Sequence, residues 1–205
     1  MSDWFDSTPP VILTNRLRLR ALALGDAPAV YSFASDPAVA RYTLWSVHLS
    51  EADSVAFIHG LVGPARLTWA ISLIDLDRAM GMVFLHSLNR HHRRAEIAFN
   101  LDRRNWGRGY VSEAASAVAD FAFHTLGLNR IVATCMPANV AAKRVLAKLG
   151  MVREGQMRRS HLRYDGAHDM ELHGLLASDR ARAIDGSHRV VRHAVGEASA
   201  APPSH

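Results

Sequence analysis

Between residues 11 and 21 leucines alternate with arginines (Leu13, Leu17, Leu19 against Arg16, Arg18, Arg20), the two-residue period of a half-buried strand. Residues 26–35 read as a helix opened by Asp26 and Pro28, and residues 50–61 as another, with Ser50 as N-cap and Asp53 in the capping-box place. Three apolar runs then follow at 67–74, 79–88 and 92–101, separated by short polar stretches, which predicts an antiparallel meander. Val111, Ala115, Val118, Ala122 and Leu126 fall on one helical stripe that ends at Gly127. Residues 130–135 read as a strand and 141–149 as a helix closed by Gly150, with final strands at 151–162 and 168–175. A helix between two of these strands calls for one parallel pairing within a mostly antiparallel sheet. The pattern lapses from about Ala177, so the expected domain is 11–176, preceded by a short extension over 1–10 and followed by a disordered or partly helical tail over 177–205.

One segment interrupts the alternation with glycine. Arg104-Asn105-Trp106-Gly107-Arg108-Gly109-Tyr110 sits between the strand ending near Leu101 and the helix beginning near Val111. Strand, glycine turn and helix N-terminus together make an anion cradle, because the first amides of a helix lack partners and the helix dipole adds positive character. The spacing is neither that of a P-loop nor of the dinucleotide fingerprint, since Ser112 stands where the third glycine would be.

Composition narrows the class. The 205 residues are 49% apolar and 21% charged, as expected of one globular domain. No run longer than 12 residues is free of Asp, Glu, Lys and Arg, which excludes a usual membrane-spanning helix. Asp3 and Asp6 stand where a signal peptide would carry basic residues, so a cytoplasmic protein is expected. The single cysteine, Cys135, reads as a buried strand residue rather than a nucleophile. The 12 histidines are scattered, and His91 and His92 would point to opposite faces if extended, so no metal is expected. The net charge of +5 is concentrated, with six arginines from Arg90 to Arg108 against Glu96 and Asp102. That cluster coincides with the cradle, and the 7% aromatic content is unremarkable, which argues against a nucleic-acid-binding surface.

Arg104, Gly107 and Gly109 occupy the three places of the Arg/Gln-x-x-Gly-x-Gly/Ala signature, and the chain resembles the GCN5-related N-acetyltransferases (GNAT). Leu13 to Arg20, Asp26-Ala27, Asn139, Arg144-Val145-Leu146, Lys148-Leu149-Gly150 and Asp165 to Asp169 fall in the order and spacing of its RimJ/RimL-type branch. The resemblance implies an α+β fold with a single sheet of about seven strands, one splayed parallel pair and about four flanking helices. It implies acetyl-CoA as cofactor, coenzyme A as product and a primary amine as acceptor, most naturally a protein N-terminal α-amine; a small-molecule amine or a non-catalytic acyl-CoA-binding role are the alternatives. Leu101, Arg104, Trp106, Gly107, Arg108, Gly109, Tyr110 and Asn139 are the expected cofactor contacts, Asn139 also serving as a helix cap. Glu96 is the expected base, with pairing to Arg94 as its structural alternative, while Glu113 in a first helical turn reads as structural. Family members commonly carry serine as proton donor three residues after the asparagine, where this chain has Ala142, which leaves Tyr164, Tyr110 or water for that role. A backbone N–H near Asn100 or Leu101 would polarise the carbonyl. Tyr42, Trp45 and His161 are expected to line the acceptor side, and a homodimer is compatible with all of these readings.

Overall fold

The Leu/Arg alternation at the start of the chain forms two strands rather than one. In the computed structural model, which describes residues 8–63 and 66–183, β1 (Ile12–Leu13) and β2 (Leu17–Ala21) make a tight antiparallel hairpin. Thr14 closes it, its N–H donating to the Leu17 carbonyl at 2.9 Å while its hydroxyl accepts from the Leu17 amide at 2.9 Å. Periodicity is preserved across such a turn, so the alternation by itself does not reveal it.

Then follow α1 (Ala27–Ala34), a four-residue α2 (Pro37–Ala40) that the apolar pattern does not signal, and α3 (Glu51–Leu61), whose Ser50 and Asp53 form the expected capping box. The expected meander is β3 (Leu67–Leu73), β4 (Leu76–Asn89) and β5 (Arg94–Leu101). β5 begins two residues later than the pattern predicts, because His91 and His92 lie in the turn before it, with their rings 4.8 Å apart. α4 (Tyr110–His124), β6 (Arg130–Cys135), α5 (Val140–Lys148), β7 (Val152–Arg163) and β8 (Gly166–Leu176) follow. α6 (Ala177–Ala183) continues past the expected domain edge; the remainder of the expected tail, 184–205, and residues 1–7 of the N-terminal extension lie outside the described residues.

The eight strands form one sheet in the order β1-β2-β3-β4-β5-β6-β8-β7, against seven expected, and the described residues contain six α-helices against four. Only β5 and β6 pair in parallel. Both faces are covered. Trp69, Ile71, Leu85, Ile97 and Ile131 pack beneath Val118, Phe121 and Ala122 of α4, while Ala70 and Met82 meet Val30, Phe33 and Ile58 of α1 and α3. A strand covered on both faces is buried almost throughout, as β3 is from Leu67 to Ser72, and each large apolar side chain so buried stabilises by roughly 1.5–3 kcal/mol.

The consequential feature for function is where the parallel pair ends. Its register runs Arg94 with Arg130, Ala95 with Ile131 and Glu96 with Val132, and stops there. Beyond Glu96 the two strands part, and the last residues of β5 face an opening.

Candidate active site

The glycine turn is anchored at its base by Asp102. This residue, 7% exposed, accepts from the Arg104 amide at 3.0 Å and from the Arg104 guanidinium at 2.6–3.1 Å, and Trp106 Nε1 donates to the Leu101 carbonyl at 2.8 Å. Burial opposes the Asp102 charge, but the Arg104 bonds hold its carboxyl below the usual range. Gly107 and Gly109 take φ of +75° and +79°, a region costly for side-chain-bearing residues, and Gly109 caps α4. The first amides of α4 therefore follow directly on a left-handed turn, and Trp106, Gly107, Gly109, Tyr110, Val111 and Ser112 line one side of a cleft of about 670 Å³.

A strut from the N-terminal hairpin fixes this turn. Arg16 donates through Nη1 to the Arg108 carbonyl at 3.0 Å and through Nε to Glu113 at 2.7 Å, and its guanidinium lies 4.7 Å from the centre of the Tyr110 ring. Glu113 accepts also from the Thr14 hydroxyl at 2.6 Å and the Arg16 amide at 3.0 Å. Burial works against its charge and these bonds outweigh it, so Glu113 stays ionised below the ordinary carboxylate range. With its oxygens so occupied it is structural, as its place in the first helical turn predicts. Arg104 is committed to Asp102, with Ser32 Oγ 3.3 Å from its Nη2, and neither it nor Arg108 lines the cleft.

On the far side of the β5/β6 opening lies a second cavity of about 430 Å³, whose walls include Tyr42, Trp45, His86, Glu96, Thr134 and His161. The three residues expected on the acceptor side thus meet the expected base in one space. Glu96 Oε1 accepts from Thr134 Oγ1 at 2.7 Å, across the parallel pair, in place of the ion pair with Arg94. His86 faces Glu96 directly in the β4/β5 register. Burial pushes the His86 imidazole below its ordinary value, and the Arg66 charge adds to that against the pull of Glu96. Trp45 packs on Phe57 with ring centres 5.4 Å apart and on His48 at 5.2 Å, and His48 Nδ1 lies 2.8 Å from Ser54 Oγ.

The two cavities share Tyr42, Thr43, Phe99, Asn100, Asn139 and Ala142, so they adjoin where β5 and β6 part. Asn100 Oδ1 is buried there without a hydrogen-bond partner. Asn139 caps α5, its Oδ1 accepting from the Ala142 amide at 3.0 Å, and the Ala142 methyl carries no proton to give. Tyr164 is misplaced for the proton-donor role: it is 74% exposed, stands over Arg163 with the guanidinium 5.0 Å from its ring centre, and lines neither cavity. A hairpin tip between β7 and β8 projects its side chains to solvent, which the sequence position alone does not disclose. Cys135 does line the second cavity, but burial first, and the Glu171 charge after it, push its thiol up to about 11. It is therefore a neutral thiol at neutral pH, consistent with a non-nucleophilic residue.

Sequence reasoning missed Arg16, His86, Thr134 and the side chain of Asn100. The first three act through partners remote in sequence, which the strand pairing brings together for His86 and Thr134 and the packing of the N-terminal hairpin on α4 for Arg16. Asn100 is adjacent to a flagged position, and its polar side chain at the end of an otherwise apolar run was the available signal.

Residues 16–152 match the acetyltransferase (GNAT) domain family. The chain belongs to that family. It is 37% identical over 145 residues to YnaD of Bacillus subtilis, an uncharacterized N-acetyltransferase, covering 70% of this chain and 84% of the relative. A ribosomal-protein-serine acetyltransferase of Escherichia coli is 25% identical over 138 residues, covering 66% of this chain and 73% of that one, in agreement with the RimJ/RimL-type branch. Among solved structures, a GNAT acetyltransferase of Bacillus anthracis superposes with a TM-score of 0.75 at 29% identity, covering 82% of this chain and 99% of its own. The protein is thus an acetyl-CoA-dependent acetyltransferase of the GNAT fold. The residues present fit that cofactor: unpaired amides at the start of α4 suit its phosphates, and the orphaned Asn100 oxygen suits an amide N–H of its arm.

Proposed function

We propose that this enzyme acetylates a protein N-terminal α-amine, with Glu96 as the proton acceptor. The observation that carries this reading is the junction of the two cavities, which sets the Glu96 carboxylate on one side of the β5/β6 opening and the glycine turn on the other. Acetyl-CoA, when bound, supplies the acetyl group as a thioester. Glu96, oriented by Thr134, takes the proton that the amine sheds as its nitrogen attacks. Backbone N–H groups at the end of β5 polarise the carbonyl. Ala142 offers no proton to the departing sulfur and Tyr164 is turned to solvent, so that proton comes from Tyr110, which lines the cofactor cleft, or from water. An α-amine of pKa about 7.8 is already neutral in roughly one molecule in seven at pH 7, whereas a lysine amine of about 10.4 must give up roughly 4.6 kcal/mol. A single modest base therefore suits an N-terminus better.

The charge of the acceptor cavity supports the same choice. Glu96 is the one carboxylate among its described lining residues, which also include Arg66, so it lacks the several acids that a polyamine or aminoglycoside would demand. The Escherichia coli relative is named for a ribosomal protein as acceptor. Thiol release from acetyl-CoA, screened with N-terminal peptides, polyamines and aminoglycosides, tests the reading. Turnover confined to peptides is expected, and turnover confined to a polycation would overturn it.

A further inference from the structure

Behind the wall of the acceptor cavity, the sheet gathers three donor side chains that none of the acetyl-transfer steps uses. Cys135 on β6 is directly opposite Glu171 on β8, and His173, two residues further on, shares the face of Glu171. All three are more than nine-tenths buried, at 5%, 8% and 6% exposure, and their ligand atoms lie within 4.8 Å of one another. His173 Nε2 is 3.9 Å from Cys135 Sγ and 3.5 Å from Glu171 Oε2, and that Glu171 oxygen has no hydrogen-bond partner.

A cysteine, histidine and glutamate so close raise the idea of a nucleophilic triad, but the geometry rejects it. A relay needs the acid on one ring nitrogen and the nucleophile on the other. Here the same nitrogen faces both. Three donors converging on one point is instead the arrangement a metal requires. Tetrahedral zinc at about 2.3 Å from sulfur and about 2.0–2.2 Å from nitrogen and oxygen places its donors roughly 3.4–3.6 Å apart. The nitrogen-to-oxygen separation of 3.5 Å already meets that, while the sulfur, 3.9 Å from the nitrogen and within 4.8 Å of the carboxylate, must move inward by up to roughly 1 Å, which a turn of the Cys135 side chain supplies. Glu171 is also approached by Lys143 Nζ at 3.8 Å and Arg153 Nε at 3.4 Å, two part-exposed cations that a bound metal ion would have to displace.

We propose that Cys135, Glu171 and His173 form a binding site for a thiophilic divalent cation of the Zn²⁺ class, set against the acceptor cavity that Cys135 also lines. Binding displaces the thiol proton, so a thiolate, a carboxylate and a neutral imidazole hold the cation, with a further position for water. The sequence pattern predicts no metal because the histidines are scattered and the single cysteine has no ligand spacing, whereas the β6/β8 register sets Cys135 beside Glu171 and His173.

The test uses the full chain stripped with a chelator and titrated with Co²⁺, then Zn²⁺. One Co²⁺ per chain is expected, with a near-ultraviolet thiolate-to-cobalt charge-transfer band that Zn²⁺ abolishes; the chain holds a single cysteine, so the band reports Cys135 alone. Cys135→Ser, its folding checked by thermal denaturation, should lose the Zn²⁺ site, and Glu171→Gln should weaken it. Absence of the band in the wild-type protein, or equal Zn²⁺ binding by wild type and Cys135→Ser, would overturn the proposal.

Discussion

A cap of glycine at φ +79°, preceded by another at +75°, puts backbone rather than side chains at the mouth of the cofactor cleft. A Cβ added at Gly107 would meet nothing within 4 Å, so replacement acts through backbone strain alone. Gly107→Ala should cost about 1–2 kcal/mol in thermal denaturation and weaken acetyl-CoA binding, and Gly107→Asn should cost less because asparagine tolerates the left-handed region. His48, 7% exposed, offers a separate check. Burial lowers its pKa below the ordinary 6.5 against the pull of Asp53, so the folded state favours the neutral ring. The stability it contributes is complete above pH 6.5 and is lost as pH falls from there toward the depressed folded value. His48→Gln should therefore flatten the fall in thermal stability between neutral and mildly acid pH relative to wild type. Residues whose roles are local were legible in the sequence: the glycine turn, the Asn139 cap and the Ser50/Asp53 box all act within a few positions. His86 and Thr134 were not, since what makes them matter is the strand laid beside them.

At the level of elements, the opening between β5 and β6 depends on how the end of β5 is held from its other side. A Cβ at Gly81 of β4 would lie 2.5 Å from the Asn100 carbonyl oxygen and 3.0 Å from Leu101 Cα, a contact with backbone that cannot yield cheaply. Gly81→Ala is expected to displace those two residues and to lower both the melting temperature and kcat. Arg16 does the corresponding work for α4, joining the hairpin to the glycine turn and to Glu113. Arg16→Ala should raise KM for acetyl-CoA while leaving acceptor KM nearly unchanged, because its contacts lie on the cofactor side only. Alternation and helical stripes predicted most strands and the long helices, since both follow from which faces are buried. They did not disclose the Asn15-Arg16 turn, which keeps the two-residue period, nor α2, which is too short to show a helical one.

Across the whole molecule, α6 is bound into the fold beyond the edge that hydrophobic pattern predicts. Arg180 Nε donates to Asp120 of α4 at 2.8 Å, and both residues are at least nine-tenths buried at 9% and 8% exposure. Removing one partner of a buried pair strands the other's charge, so Arg180→Ala should destabilise by about 3–5 kcal/mol in chemical denaturation, and Asp120→Leu combined with Arg180→Met should recover much of it. The partly helical tail of the sequence reading had no visible anchor because what attaches α6 is mainly polar, the Arg180 bonds to Asp120 and Ser116, rather than an apolar stripe. No helix among the described residues is long and apolar enough to cross a membrane. Everything proposed for catalysis passes through one junction, where the cavity that Glu96 lines meets the cofactor cleft. The most direct measurement is steady-state thiol release by wild type and Glu96→Gln with an N-terminal peptide, alongside acetyl-CoA affinity. A fall in kcat of about 10²-fold or more with unchanged acetyl-CoA binding is the expected result. Full turnover by Glu96→Gln would contradict the assignment of the base.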